Sequence, residues 1–206
     1  MIEPVKTKLW FAPDRTYHEA EIIELNDELM ARQLDGPWWL EEWIDEDLAA
    51  QEIDRHWSWS DCVVEVEGKE MRSAKVGVRT MDGMVQGGMV ITLKGIASRL
   101  APGDQALLVE WLFTAPRNRP YLRNDGEDAG TRWYGGVGHT LLRWGAALSV
   151  ANGYDGRMRL DASPDFVEWY ANRGFVVVDE QGVNHEGVLY TPMELPAERA
   201  GELLES

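Results

Sequence analysis

The chain has 206 residues, of which 44% are hydrophobic, so it can bury one sizeable core, and a single domain over 1–206 is expected. Its 36 acidic against 20 basic residues give a net charge of −16, a field that repels phosphate and argues against a nucleic-acid or anionic-membrane partner. Cys62 is the single cysteine, which excludes an internal disulfide framework and a cysteine metal cluster. Its place in Cys62-Val63-Val64 reads as core. His18, His56, His139 and His185 lack ligand spacing, so no metal site is expected. There is no charged start followed by an apolar run and no apolar stretch of bilayer length, so a cytoplasmic location is expected.

In chain order, a helix is predicted from about Asp14 to Gln33, with Ile22, Ile23, Leu25, Leu29 and Met30 on its inner face. A break follows at Asp35-Gly36-Pro37, then a second helix from Trp38 to Arg55 burying Trp39, Leu40, Trp43, Ile44 and Leu48. From His18 to Asp54 acids recur at almost every turn, and Arg32 is the only Lys or Arg. Five of the ten tryptophans, Trp38, Trp39, Trp43, Trp57 and Trp59, lie in or just after this segment. Aromatic faces beside carboxylates attract ammonium groups, so Trp38, Trp39 and Trp43 are candidates for an acceptor pocket that takes a cationic amine. The other reading is a tryptophan core with a solvated acidic face.

The runs Cys62 to Glu67, Ser73 to Arg79 and Val85 to Leu93 alternate with the turn signals Gly68 and Asp82-Gly83 and read as antiparallel strands. After the loop Ala101-Pro102-Gly103-Asp104, residues Ala106 to Pro116 read as a buried strand, apolar on both faces, with Glu110 as its only charge. Burial raises a carboxylate's pKa and suits it to act as a general base; alternatively Glu110 is paired with a cation or solvated. The polar stretch Arg117 to Arg132 reads as an inserted loop, a surface feature or a substrate lid.

Trp133-Tyr134-Gly135-Gly136-Val137-Gly138-His139-Thr140 leads into Leu141, Leu142, Trp144 and Leu148 at helical spacing. A glycine-lined entry lets an anion approach the unpartnered first amides of a helix, although a Gly-Gly turn also serves plain chain reversal. Gly156 to Asp161 reads as a strand, and Ser163-Pro164 as a helix start. That helix runs through Tyr170 to Gly174, and a strand from Phe175 to Val178 follows. Gly187 to Met193 is expected as a last strand and 195–206 as a short acidic helix or tail. This order argues for crossover connections and an open sheet that is partly parallel.

Glu110 to Pro116, Trp133 to Leu142 and Tyr170-Ala171-Asn172-Arg173-Gly174-Phe175 together resemble the central motifs of the GNAT N-acetyltransferase superfamily. They match its fourth strand, its pyrophosphate loop and its Tyr-x-x-x-Gly-Phe. The resemblance covers about the C-terminal half. It implies an α/β fold with a mixed, mostly antiparallel twisted sheet, flanking helices and a partly parallel centre, and acetyl-CoA as co-substrate. The implied CoA contacts are the Leu112, Phe113 and Thr114 backbone, Trp133, Gly135, Gly136, Val137, Gly138, His139, Thr140 and Ser163. Glu110 is implied as the base and Tyr170 as the acid that protonates the leaving thiolate. Trp133 stands where the family has Arg or Gln, Ser163-Pro164 where it often has Asn, and 117–132 is longer than its usual link.

The expected domain then divides into a helical acceptor-side segment (1–60), antiparallel strands (61–105), an acyl-CoA core (106–180) and a final strand and tail (181–206). Expected partners are a small-molecule or peptide amine of cationic character and, as a homodimer, a second copy of the chain. A different class of function is also compatible: a non-catalytic acyl-CoA-sensing or protein-interaction module that uses the acidic tryptophan-rich face.

Overall fold

A computed structural model describes residues 3–35, 38, 44, 46–50, 52, 72–122, 133–179, 182–185 and 187–205. The chain divides into two compact units: Met1–Glu70, Lys75–Val90 and Trp111–Leu141 form the first, and Met71–Ala74, Ile91–Glu110 and Leu142–Ser206 the second. The strands are β1 (Val5–Phe11), β2 (Thr16–Glu24), β3 (Ser73–Thr80), β4 (Val85–Thr92), β5 (Ile96–Ala97), β6 (Gln105–Thr114), β7 (Tyr134–Gly135), β8 (Met158–Ala162), β9 (Val176–Val177), β10 (Val183–His185) and β11 (Val188–Leu195). Among the described residues they hydrogen-bond in the order β10-β11-β8-β6-β4-β3-β2-β1-β7, with β5 on β6 and β9 on β11. The fold is α/β with a mixed, mostly antiparallel sheet, and β6 with β8 is its parallel pair.

In the first unit β1 and β2 form an antiparallel hairpin from Val5↔Ile22 to Phe11↔Thr16. The helix expected over 14–33 is therefore corrected: Thr16–Glu24 is a strand, and only α1 (Asp27–Gln33) is helical. The reason is the period. Ala20 and Ile22 point inward while Tyr17 and Glu19 point out, an alternation of two that β-branched and aromatic residues favour. Asn26 starts α1, its side chain accepting the Leu29 N–H at 2.8 Å, and Asp27 and Glu28 fill the first turn. Gln33 ties the helix end to the β3–β4 hairpin, accepting Val85 N–H at 2.8 Å and donating to Gly83 O at 3.0 Å.

The second expected helix is narrower than 38–55. Among its described residues only α2 (Glu46–Ala49) is α-helical, Trp38 lies in a 3₁₀ turn, and Ile44 is in an isolated bridge. The strand expected over Cys62 to Glu67 lies outside the described residues, while β3 turns into β4 at the Asp82-Gly83 signal. This unit's core joins Met30, Leu34, Trp38, Ile44 and Ala49 to Val85, Phe113 and Leu122.

In the second unit β8 pairs in parallel with Leu107 and Leu108 of β6 and antiparallel with β11. The helix predicted after the glycines is α3 (Val137–Ala151), whose C-terminal end is fixed to β8 by Ser149 Oγ donating to Arg157 O at 2.7 Å. The Tyr170 segment is a 3₁₀ turn, Pro164–Phe166, running into α4 (Val167–Ala171). The tail forms α5 (Ala197–Glu205), whose Leu204 carbonyl accepts Arg143 Nη2 at 2.9 Å. Glu194 of β11 is fully buried, and its carboxylate accepts the Ser98 hydroxyl and the Arg99 N–H, which satisfies a charge that burial would otherwise penalise.

Gly87 of β4 packs against both backbone and side chain in the first unit. A Cβ there would lie 2.6 Å from Phe113 O of β6 and 2.6 Å from Val137 Cγ1 at the start of α3. Gly87→Ala is therefore an overpacking change against backbone, expected to cost about 1–3 kcal/mol. Urea denaturation measures the loss, and an unchanged midpoint contradicts it.

Candidate functional site

The glycine turn is built as the sequence suggests, with one correction. β7 pairs antiparallel to β1 through Trp10↔Gly135 and Phe11↔Tyr134, so the turn is anchored to a strand before the helix begins. Gly136 has φ +86°, a left-handed conformation that favours glycine, and a Cβ there would meet no atom within 4 Å. α3 then starts at Val137, so the N–H groups of Val137 and Gly138 have no acceptor within the helix. Thr140 differs from expectation: its N–H donates to Gly136 O at 2.8 Å and belongs to the first helical bond. His139 and Thr140 are half-buried.

Trp133, where the family pattern has Arg or Gln, serves as an anchor. Its N–H donates to Arg117 O at 3.1 Å and its carbonyl accepts Ala12 N–H at 2.9 Å. Its ring meets Phe11 edge-on at 6.5 Å, and Phe11 also lies 4.8 Å from Tyr134 and 4.5 Å from His18. The same hydrogen bond closes the base of the 117–132 insertion, whose residues 123–132 lie outside the described ones.

Sequence reasoning missed a buried amide network under this turn. Asn118 Oδ1 accepts the Tyr134 N–H at 2.9 Å, and its Nδ2 donates to Gln86 O at 3.0 Å and Gln86 Oε1 at 3.2 Å. Gln86 Nε2 in turn donates to Thr80 Oγ1 at 3.0 Å. These partners are far apart in sequence, and the only local signal is Pro116 ahead of Arg117-Asn118-Arg119, three polar residues that are all buried. Tyr134 itself is buried, which with the Asp82 and Asp14 carboxylates pushes its phenol above the ordinary value against the opposing Arg117 charge. Beside it His18, Glu19, Thr80, Met81 and Asp82 complete a shallow depression of about 350 Å³. Hydrogen bonds from Thr16 and His18 hold the Asp14 carboxyl below the usual carboxylate range.

β6 departs from the expected strand, buried on both faces. Leu107, Val109 and Phe113 are buried, whereas Leu108, Glu110, Trp111, Leu112 and Thr114 are half-buried. Glu110 is thus partly accessible rather than sealed in apolar surroundings. Among the described residues β6 pairs with β8 through Leu107 and Leu108. At its far end the Thr114 carbonyl is already held by Arg119, through Nε at 3.1 Å and Nη2 at 2.8 Å. Arg119 also pairs with Glu52, which further accepts the Tyr121 hydroxyl at 3.1 Å.

Tyr170 of α4 packs edge-on against Trp169 at 4.9 Å and Phe175 at 5.6 Å. Tyr170 is half-buried, and desolvation pushes its phenol above the ordinary value, partly offset by Arg173. It therefore holds its proton throughout the neutral range. Ser163 is half-buried in extended backbone; its carbonyl accepts Phe166 N–H at 2.9 Å and its hydroxyl makes no capping bond. Trp38 is corrected: it is 1% exposed and packs on Phe113 at 5.5 Å, so its ring belongs to the core and offers no face to an acceptor. Trp39 and Trp43 lie outside the described residues. Among the described residues no three His, Cys, Asp or Glu are grouped to hold a metal, and no helix is long and apolar enough to cross a membrane.

No family model matches the sequence, and no curated protein matches it. Solved structures do. A bacterial toxin is similar at TM-score 0.54 and 15% identity, over 89% of this chain and 95% of that one. A mutant AtaT toxin bound to the C-terminus of the antitoxin AtaR and acetyl-CoA is similar at TM-score 0.51 and 15% identity, over 91% and 99%. A nourseothricin acetyltransferase is matched at TM-score 0.42 and 19% identity, and the match spans 61% of this chain and 65% of that chain. With its mixed sheet, its parallel β6–β8 pair and a glycine turn opening α3, the chain shares the fold of the two toxin structures.

Proposed function

We propose that the chain is an N-acetyltransferase that carries an acetyl group from acetyl-CoA to a primary amine of a small molecule or peptide. The observation that carries this reading is the convergence at Gly87: the end of β6 and the start of α3 both close on that residue. The end of a strand and the amide-lined start of a helix are thus neighbours. The first suits the amide-bearing arm of a pantetheine, and the second suits a pyrophosphate beside open Gly136. That acetyl-CoA is bound in the similar AtaT structure also supports it.

The chemistry is direct transfer. The amine lone pair attacks the thioester carbon, the C–S bond breaks, and the amine's surplus proton leaves through Glu110 or a water that Glu110 holds. The departing thiolate accepts a hydrogen bond from Tyr170 and takes its proton from solvent. Because burial disfavours a phenolate, the main contribution of Tyr170 is a hydrogen bond to sulfur as its charge develops. The acceptor's cationic character rests on the chain's charge of −16 and the acids between His18 and Asp54.

Two outcomes are expected. In a thiol-release assay with acetyl-CoA and a panel of primary amines, at least one amine is acetylated. Tyr170→Phe then lowers turnover by about 10²–10⁴-fold with acetyl-CoA affinity nearly unchanged. Equal turnover in the variant removes Tyr170 from the mechanism, and binding without turnover on any amine assigns a sensor instead. In alkaline absorbance titration of the native protein, Tyr170 ionises after the ordinary phenols, which titrate near pH 10, and Tyr170→Phe deletes that late step. Since the folded phenol binds its proton more tightly than the unfolded one, stability attributable to it is full below about pH 10 and falls as pH rises beyond that. A Tyr170 that titrates with the others contradicts the desolvation of its phenol.

A further inference from the structure

The glycine turn is held from outside itself. Asn118 ends the 3₁₀ turn Pro116–Asn118 that follows β6, is 7% exposed, and has its whole side-chain amide engaged: both contacts of Nδ2 are on Gln86, and Oδ1 takes the Tyr134 N–H. Gln86, 1% exposed, is oriented by Thr80, whose hydroxyl donates to Asp82 Oδ1 at 2.7 Å in the β3–β4 turn. The Gln86 carbonyl also accepts Ala115 N–H at 2.9 Å, so one residue of β4 grips the chain on both sides of Pro116.

Two buried primary amides are an expensive way to fill a core, since apolar side chains of similar volume are often as good for stability. What they add is direction. The Tyr134 N–H can only face an acceptor, so the Asn118 amide cannot flip without setting Nδ2 against a donor. Its Nδ2 is fixed in turn by two Gln86 oxygens. Tyr134 is two residues before Gly136 and three before the first residue of α3. Its amide is the last side-chain-held point before the turn.

We propose that Asn118, oriented by Gln86, is a positioning residue for pyrophosphate binding: it fixes the Tyr134 amide and through it the path of Gly135 and Gly136 into α3. It touches no substrate atom. The inference rests on the acetyl-CoA reading for what the turn binds, but the clamp itself is independent of that reading.

The test compares two ligands on the full chain and its Asn118→Ala and Gln86→Met variants. Acetyl-CoA carries the pyrophosphate, and S-acetylpantetheine lacks it. The positioning role predicts that both variants bind acetyl-CoA at least roughly tenfold more weakly, the scale of one buried hydrogen bond, while S-acetylpantetheine affinity stays within about twofold. A merely structural role weakens both ligands alike, and that result overturns the proposal. Hydrogen exchange of the Tyr134 amide without ligand is the second readout: it accelerates at least roughly tenfold in Asn118→Ala if the clamp is real. An unchanged rate overturns the proposal. If the wild type binds neither ligand, the acetyl-CoA reading fails, and the exchange rate alone still decides whether Asn118 holds the turn.

Discussion

The lack of a side chain at Gly87 is the steric condition on which the first unit depends. β4 is buried along its whole length, and at this one position the backbone of β6 and the first side chain of α3 both occupy the space a Cβ would need. Packed interiors transmit such a constraint because they have no slack to absorb it. The residue before it, Gln86, bonds to the chain leaving β6, and Phe113 packs over Gly88, where a Cβ would lie 2.5 Å from the ring. Three consecutive residues of one strand thus determine where β6 ends and where α3 begins.

The candidate chemistry follows from those two endpoints. A helix start carries partial positive charge and N–H groups lacking intrahelical acceptors, and a strand end offers backbone groups to an extended ligand. Neither is a site alone. Their convergence on Gly87, with open space at Gly136, makes a ligand with an anionic middle and an amide-bearing arm a better fit than a simple anion.

Local signals were legible and distant ones were not. The Asp82-Gly83 turn, the β6 strand and the start of α3 are each written within ten or so residues, and each stands where the residues imply. Thr16–Glu24 was misjudged because Ile22, Ile23, Leu25 and Leu29 satisfy a helical spacing as well as their true one; the strand is fixed by its ladder to Val5–Phe11 and by pairing with Val76 to Thr80. The acid-and-tryptophan pattern could not distinguish core from pocket, since Trp38 lies in the core through contact with Phe113, 75 positions away. The Gln86–Asn118–Tyr134 network joins residues 32 and 16 apart, and no periodicity records such a contact.

Calorimetric titration of acetyl-CoA into the wild type and into Gly136→Glu, with Gly136→Ala as the control for backbone strain, tests the account most directly. Gly136→Glu adds a carboxylate where the proposed function puts the pyrophosphate, whereas Gly136→Ala adds only the strain of a left-handed position. Saturable binding by the wild type, retained in part by Gly136→Ala and lost in a folded Gly136→Glu, is the predicted result. Equal binding by all three, or none by the wild type, contradicts it.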